Sequence, residues 1–150
     1  MVFFDTGVVL KLVVQEPLSA RVLQTVERNR WTIPLTRLID LEMENALQAL
    51  FYRKSISAEQ LAGARELVAE LVSEGLFRRV DLSLGEVSTE AFSLASIVTP
   101  KSGCRTLDLL HVASAKLLRA PTFVSADARQ NKAARILGMK VKDFRQKSVG

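Results

Sequence analysis

The chain has 150 residues, of which 48% are hydrophobic and 25% charged, which is typical of a globular domain and excludes a disordered or fibrous protein. No apolar run approaches the roughly 18–20 residues of a membrane-spanning helix. The apolar N-terminus carries Asp5 and lacks a basic region, so we expect the first strand and helix there rather than a signal peptide. The single cysteine, Cys104, excludes an intrachain disulfide, and we expect a cytoplasmic protein with no membrane partner.

The net charge of +5 is unevenly distributed along the chain. Residues 1–100 hold 10 Lys and Arg against 13 Asp and Glu, a net charge of −3, whereas residues 101–150 hold 11 against 3, a net charge of +8. A basic segment on a mildly acidic protein predicts a polyanionic partner, with nucleic acid the first candidate. Solvated basic side chains on terminal helices explain the charge equally well.

Short strands alternate with longer helices along the chain. Strands are predicted at residues 2–5, 31–34, 79–82, 122–125 and 139–141. Helices are predicted at residues 7–14, 18–28, 35–53, 58–76, 86–98, 107–118 and 128–137, with a loop at 100–103. This order predicts an α/β fold with a short-stranded parallel sheet flanked by helices, a three-layer α/β/α sandwich, as a single domain over residues 1–150. In such sheets, ligands bind beyond the carboxyl ends of the strands.

Glu42 is the residue that ordinary helix packing does not explain. Residues 35–50 carry apolar side chains at the i, i+3, i+4, i+7 spacing, and Glu42 is the only charged member of this inward row. A carboxylate that faces a core is costly unless it is paired, protonated or bound to a metal. The alternative to a metal is a buried salt bridge, for which Arg105 is a candidate partner.

Three aspartates lie at the ends of predicted elements. Asp5 closes the first strand, Asp127 follows the strand that ends at Ser125, and Asp108 lies in the first turn of a helix. Each alone has an ordinary explanation, because Asp is a preferred helix cap and favours the positive end of the helix dipole. Together with Glu42, however, they are four carboxylates from four separate elements, and three of them lie near the sheet edge where ligands bind.

Four converging carboxylates repel one another and raise some of their pKa values, and a divalent cation reverses that penalty. Oxygen ligands alone suit Mg²⁺ or Mn²⁺, whereas zinc favours a Cys/His cluster that the sequence lacks. A hard cation with coordination positions left for water is suited to hydrolysis of a phosphodiester bond. We therefore predict a Mg²⁺ or Mn²⁺ site at these four residues.

Four blocks of sequence are informative when they are taken together. They are VFFDTGVVLKLVVQEP, LEMENAL, RTLDLLHVASAKLLRAPTFVSAD and ARILGMKV, and they extend over nearly the whole chain. In content and order the chain resembles the PIN-domain family and, more narrowly, the VapC-type toxin ribonucleases of toxin–antitoxin pairs. The resemblance implies a PIN-like fold and an acidic metal site formed by Asp5, Glu42, Asp108 and Asp127.

The same resemblance implies roles for neighbouring residues. Side chains that orient the carboxylates or support the site are expected at Thr6, Ser125 and Asn45. His111 lies in the D-x-x-H block, where it looks structural. The chain departs from the family at Gly7, where such proteins usually carry Ser or Thr, which puts a water or phosphate contact in doubt but removes no metal ligand.

These features predict a Mg²⁺- or Mn²⁺-dependent endoribonuclease that acts as the toxin of a toxin–antitoxin pair. The resemblance also implies a small cognate antitoxin and a homodimer, and basic side chains that could bind the RNA substrate are Arg105, Lys101 and Arg129. One alternative is a PIN-fold module that binds RNA or a protein without cleavage, for which Gly7 is the motivation. Another is a different Mg²⁺-dependent phosphate enzyme, although the chain lacks a second Asp two residues after Asp5 and a phosphate-cradling Gly-rich loop.

Overall fold

The computed structural model describes residues 1–145. Its strands are β1 (Val2–Phe4), β2 (Ile33–Leu35), β3 (Phe77–Arg79), β4 (Thr122–Ser125) and β5 (Lys140–Asp143). Its helices are α1 (Thr6–Leu10), α2 (Ser19–Asn29), α3 (Arg37–Tyr52), α4 (Ala58–Ser73), α5 (Leu84–Ser102), α6 (Thr106–Leu117) and α7 (Ala128–Ile136). Within residues 1–145, none of these helices combines the length and the apolar character that crossing a membrane requires.

The strands pair only in parallel, which confirms the predicted α/β fold with a small parallel sheet flanked by helices. Strands β1, β4 and β5 form a sheet in the order β1-β4-β5, with Phe3 opposite Phe123 and Phe123 opposite Val141. Strands β2 and β3 form a second parallel pair, and β2 lies beside β1. The N–H of Asp5 donates to the carbonyl of Val124, so the pairing of β1 with β4 continues to the residue after β1.

Buried aromatic side chains hold the short strands together. Phe3, Phe4 and Phe123 have no exposed surface, and the rings of Phe3 and Phe123 stack with their centroids 5.6 Å apart. Burying a side chain of this kind stabilises the fold by about 1.5–3 kcal/mol. Because strands buried on both faces need apolar residues at successive positions, the run Val2–Phe4 is wholly buried. Packing therefore fixes the ends of β1 and β4, from which two of the aspartates follow.

Two boundaries differ from the predicted ones because of strand pairing. Leu35 belongs to β2 and pairs with Arg79, so α3 begins later than predicted, after Thr36. The side chain of Thr36 accepts a hydrogen bond from the N–H of Ile39 and caps the helix. The third strand is Phe77–Arg79 rather than residues 79–82, because the register with β2 selects these residues.

Helices α5 and α1 also differ in length from the prediction, and α4 ends at Ser73 rather than at residue 76. The predicted loop at residues 100–103 is wrong, because α5 continues through Pro100 to Ser102. A proline near the C-terminus of a helix forfeits only one backbone hydrogen bond. Gly103, whose φ is +68°, caps the helix after Ser102. Helix α1 is shorter than the predicted 7–14, because the N–H groups of residues 11–13 bond to carbonyls three residues back, in tight turns.

Candidate active site

The four predicted carboxylates line one cavity of about 620 Å³. Parallel pairing of β1 with β4 brings Asp5 and Asp127 to the same edge of the sheet, beyond the carboxyl ends of the strands. The first turn of α6 supplies Asp108, and the middle of α3 supplies Glu42. The remaining lining residues are Gly7, Arg105, Thr106, Leu107, His111, Ala126 and Gln130.

Asp5 is a buried carboxylate that also caps a helix. Its Oδ1 accepts a hydrogen bond of 2.9 Å from the N–H of Val8, and its Oδ2 accepts one of 2.5 Å from the hydroxyl of Ser125. Burial raises the pKa of Asp5 above its ordinary value, and these two hydrogen bonds offset only part of the rise. The negative charge of Asp127 adds to it. The site therefore holds a carboxylate whose ionised form is costly without a compensating cation.

Ser125 connects the two strand-end aspartates. Its hydroxyl oxygen accepts a 2.8 Å hydrogen bond from the N–H of Asp127, which leaves the hydroxyl proton for Asp5. Asp127 in turn caps α7, because its Oδ1 accepts hydrogen bonds from the N–H groups of Arg129 and Gln130. Its Oδ2 accepts no hydrogen bond from the residues that the structure describes. Asp127 is thus both a helix cap and a carboxylate with one oxygen free to bind a ligand.

Asp108 is held from two sides. Its Oδ2 accepts a 2.9 Å hydrogen bond from the backbone N–H of Arg105 and a longer one of 3.4 Å from the Arg105 side chain. Its Oδ1 accepts a 3.1 Å hydrogen bond from the side-chain amide of Gln130. Asp108 is 4% exposed, so this carboxylate is fixed in place at the wall of the cavity. Gln130 was not among the residues predicted for the site.

Glu42 is partly buried and makes a different contact from the predicted alternative. Its Oε1 accepts a hydrogen bond from Nε2 of His111 and one of 3.0 Å from the hydroxyl of Thr6. The salt bridge to Arg105 does not form, because Arg105 contacts Asp108. Burial raises the pKa of Glu42, but the hydrogen bond and the electrostatic attraction of His111, together with the hydrogen bond from Thr6, outweigh it and hold the pKa below its ordinary value. Glu42 is therefore kept ionised at the edge of the cavity.

The predicted inward row of α3 is also revised. The fully buried stripe of the helix consists of Ile39, Met43 and Leu47. Glu42 lies beside this stripe, with 26% of its side chain exposed, rather than at its centre. A helix residue next to a buried stripe can reach both the core and solvent, which is why Glu42 meets a buried partner and the cavity.

His111 is the residue whose expected role changes most. It is 2% exposed, and its ring lies 6.1 Å from that of Phe3, as expected for a structural histidine. Its Nε2, however, contacts the carboxylate of Glu42, and its Nδ1 has no hydrogen-bond partner within residues 1–145. Because an ionised carboxylate only accepts hydrogen bonds, Nε2 of His111 is the donor in this contact. The sequence signal was the D-x-x-H spacing, which places His111 one turn after Asp108.

Three of the other predicted residues lie outside the cavity lining, whereas Gly7 is part of it. Asn45 is exposed and is not among the lining residues, so the structure does not bring it to the site. Lys101 and Arg129 are exposed and also lie outside the lining. Gly7 lines the cavity, and a Cβ added there would lie 3.6 Å from Oδ1 of Asp5, an ordinary contact distance. The absence of a side chain at Gly7 therefore leaves room in the cavity and does not distort the site.

The chemistry of these donors fits a hard divalent cation. Within residues 1–145, no three His, Cys, Asp or Glu side chains are already arranged to hold a metal ion. The cavity nevertheless presents four carboxylates and no competing thiol ligand, which is the set that Mg²⁺ and Mn²⁺ prefer. One of them, Asp5, is destabilised by burial, and the buried Oε1 of Gln130 lacks a donor within the same residues. A hydrated cation would relieve both.

Solved structures of similar fold include a toxin–antitoxin complex from Klebsiella pneumoniae, with a TM-score of 0.56 at 13% identity over 85% of this chain and 87% of that chain. FitAB bound to an IR36 DNA fragment is similar with a TM-score of 0.65 at 15% identity, over 100% of both chains. VapBC2 from Rickettsia felis, bound to a promoter DNA fragment, gives 0.63 at 17% identity, over 95% of this chain and 98% of that chain. FitAcB from Neisseria gonorrhoeae gives 0.59 at 15% identity, over 94% and 96%.

These identities are low, so the solved structures show a shared fold and no more. No curated protein sequence is significantly similar to the chain. The PIN domain family model, however, matches residues 2–136, a range that contains all four carboxylates and every element from β1 to α7. Because this match covers nearly the whole sequence, the chain belongs to the PIN-domain family.

Proposed function

We propose that the protein is a Mg²⁺- or Mn²⁺-dependent endoribonuclease that hydrolyses phosphodiester bonds of RNA. The observation that carries the proposal is the arrival of four carboxylates from four different elements at one cavity. PIN domains are generally nucleases, which supports this class of reaction. The burial of Asp5 and the like charge of Asp127 favour a divalent cation at the same place.

Each carboxylate has a distinct part in the proposal. Asp5, Asp108 and Asp127 would hold the cation, and Glu42 would do so directly or through water. When bound, the cation supplies a lowered pKa for the attacking water and neutralises charge on the phosphate. Glu42 is kept ionised by its hydrogen bonds, and its Oε2 accepts none from residues 1–145, so this oxygen is free to take a proton from water.

Three exposed basic side chains in the C-terminal third of the chain support an RNA substrate. Arg105 lines the cavity with 70% of its side chain exposed, and its only carboxylate contact among the described residues is the long one to Asp108. Lys101 lies in the last turn of α5, and Arg129 lies in the first turn of α7. We propose that these three residues bind phosphates on either side of the scissile bond.

We further propose that the protein is the toxin of a toxin–antitoxin pair and forms a homodimer. The Klebsiella pneumoniae structure of similar fold is a toxin–antitoxin complex, which supports an antitoxin partner. Large apolar side chains are exposed on α3 and α5, with Leu41, Leu84 and Phe92 exposed by 67%, 61% and 87%. Leu41 and Leu84 line one groove, and exposed apolar side chains that cluster in this way are typical of protein interfaces. Light scattering of the purified protein, alone and after coexpression with the product of the adjacent gene, tests both partners.

The proposed activity is tested with a circular RNA, which has no ends and therefore reports only endonucleolytic cleavage. The wild-type protein should linearise it with Mg²⁺ or Mn²⁺ and not in EDTA, and Asp5→Asn should abolish cleavage. Asp40→Asn is the matched control, because Asp40 lies on α3 outside the cavity lining and contacts Arg79. Full cleavage in EDTA would contradict the proposal. RNA binding without cleavage would indicate a binding module, and release of phosphate from small phosphoesters would indicate a phosphatase.

A further inference from the structure

Gln130 departs from the local structure that its sequence predicts. Asp127 and Gln130 have the spacing of a capping box, in which the side chain at the third helical position bonds back to the N–H of the cap residue. Here the N–H of Asp127 donates to Ser125 instead, at 2.8 Å. The side chain of Gln130 therefore does not bond back to the start of α7 and instead extends across to α6.

The side chain of Gln130 contacts a carboxylate of the cavity. Nε2 of Gln130 donates to Oδ1 of Asp108 at 3.1 Å, and both residues are buried, with exposures of 7% and 4%. An ionised carboxylate only accepts hydrogen bonds, so the amide nitrogen must face it and the amide oxygen must face the other way. Together with the backbone N–H of Arg105 on Oδ2, this bond fixes both oxygens of Asp108.

The amide oxygen is left without a donor. Oε1 of Gln130 is buried and has no hydrogen-bond partner among residues 1–145, although Gln130 lines the acidic cavity. An unpaired buried carbonyl costs about 1–3 kcal/mol, so native proteins rarely retain one without a reason. The ionised carboxylates around it are acceptors and give it nothing. Water is a donor that suits this position, and a divalent cation would bring water with it.

We propose that Gln130 is a positioning residue for the metal site. Through Nε2 it orients Asp108, and through Oε1 it accepts a hydrogen bond from water that enters the cavity with the cation. This assignment rests on the proposed metal-dependent function. Outer partners of metal ligands contribute about 10- to 100-fold to metal affinity, and a loss of that size is expected when the amide is removed.

Gln130→Met is the informative variant, because it keeps the length and shape of the side chain and removes both polar groups. Mn²⁺ binding to the full chain is measured by titration calorimetry, and unfolding in EDTA is measured by denaturant. We expect Mn²⁺ affinity to fall by about 10- to 100-fold. The free energy of unfolding in EDTA should change little, because the lost hydrogen bond to Asp108 is offset by removal of the unpaired oxygen. Cleavage of RNA by the variant should then be restored by a higher Mn²⁺ concentration.

A purely structural Gln130 predicts the opposite pattern, in which stability falls and Mn²⁺ affinity does not. That result would overturn the assignment. Gln48→Met is the matched control, because it is the same substitution at an amide whose Nε2 also donates to a carboxylate, that of Glu44, outside the cavity lining. The Mn²⁺ affinity of this control should equal that of the wild type. If Gln130→Met does not fold, Gln130→Ala must weaken Mn²⁺ binding in the same direction.

The wild type and Asp5→Asn separate the two levels of the proposal. Wild-type protein that binds Mn²⁺, and loses it with Asp5→Asn, supports the metal site whatever Gln130 does. Equal Mn²⁺ affinity of wild type and Gln130→Met would then overturn the role of Gln130 alone. Wild-type protein that binds no Mn²⁺ would overturn the proposed function and the role of Gln130 together.

Discussion

Ser125→Ala is the substitution whose consequences follow most fully from the structure. It removes one hydroxyl that donates to Asp5 at 2.5 Å and accepts from the N–H of Asp127 at 2.8 Å. Ser125 has no exposed surface, so water cannot simply replace it. The variant therefore leaves a buried carboxylate and a backbone N–H each with one partner fewer.

The size of the effect follows from those two hydrogen bonds. A hydrogen bond to a charged group contributes about 1.5–3 kcal/mol, and a neutral one about 0.5–1.5 kcal/mol. We expect Ser125→Ala to lower the free energy of unfolding of the metal-free protein by about 2–4 kcal/mol at neutral pH. The substitution should also raise the pKa of Asp5 further, because in the wild type the hydrogen bond from Ser125 lowers that pKa. Mn²⁺ affinity should fall by about 10- to 100-fold, because Asp5 is no longer oriented.

Denaturant unfolding in EDTA and Mn²⁺ titration calorimetry measure these two effects. Ser114→Ala is the matched control: Ser114 is equally buried, but its hydroxyl donates to the carbonyl of Leu110 within α6, away from the cavity. That carbonyl is already paired in the helix, so we expect a change below about 1 kcal/mol and no change in Mn²⁺ affinity. Equal stability and Mn²⁺ affinity of Ser125→Ala and the wild type would refute the bridging role of Ser125.

Three further predictions concern the same cavity. Asp5→Asn should unfold at a higher temperature than the wild type in EDTA at neutral pH, because burial raises the pKa of Asp5 and makes its ionised form costly. This difference in stability should shrink as the pH falls through the raised pKa and vanish below 3.8, the pKa of the unfolded chain. His111→Ala removes a donor that lowers the pKa of Glu42, so the acid limb of the pH profile of RNA cleavage should move to higher pH, and no movement would contradict the contact. Gly7→Ser should fold as well as the wild type and retain cleavage, since an added Cβ meets only Oδ1 of Asp5, at 3.6 Å; loss of folding would show that the cavity has no room there.

The sequence predicted the parts of the site that depend on strand ends. Asp5 and Asp127 follow apolar runs, and parallel strands end at one edge, so the pattern of strands is enough to infer that the two aspartates approach each other. The strand Thr122–Ser125 was predicted with the bounds that the structure shows. These features are local or follow from one topological rule, which is why sequence suffices for them.

Partners that come from distant elements could not be predicted in the same way. Helical periodicity indicated that Glu42 faces inward but not which side chain it contacts. Its hydrogen-bond partner is His111, 69 residues away in the sequence. For Gln130, local reasoning gives a capping box, and only the competing bond from Asp127 to Ser125 redirects the side chain to Asp108. Such contacts depend on how helices pack against each other, which spacing along one helix does not specify.

The central claim is that these four carboxylates form a single divalent metal site. The most direct test is a crystal of the wild-type protein grown with Mn²⁺ and measured for anomalous scattering. We predict an anomalous peak in the cavity within about 2.0–2.3 Å of carboxylate oxygens of Asp5 and of at least one of Asp108 and Asp127, and its absence in Asp5→Asn. A cavity without a peak at saturating Mn²⁺, or a peak bound elsewhere on the chain, would contradict the account.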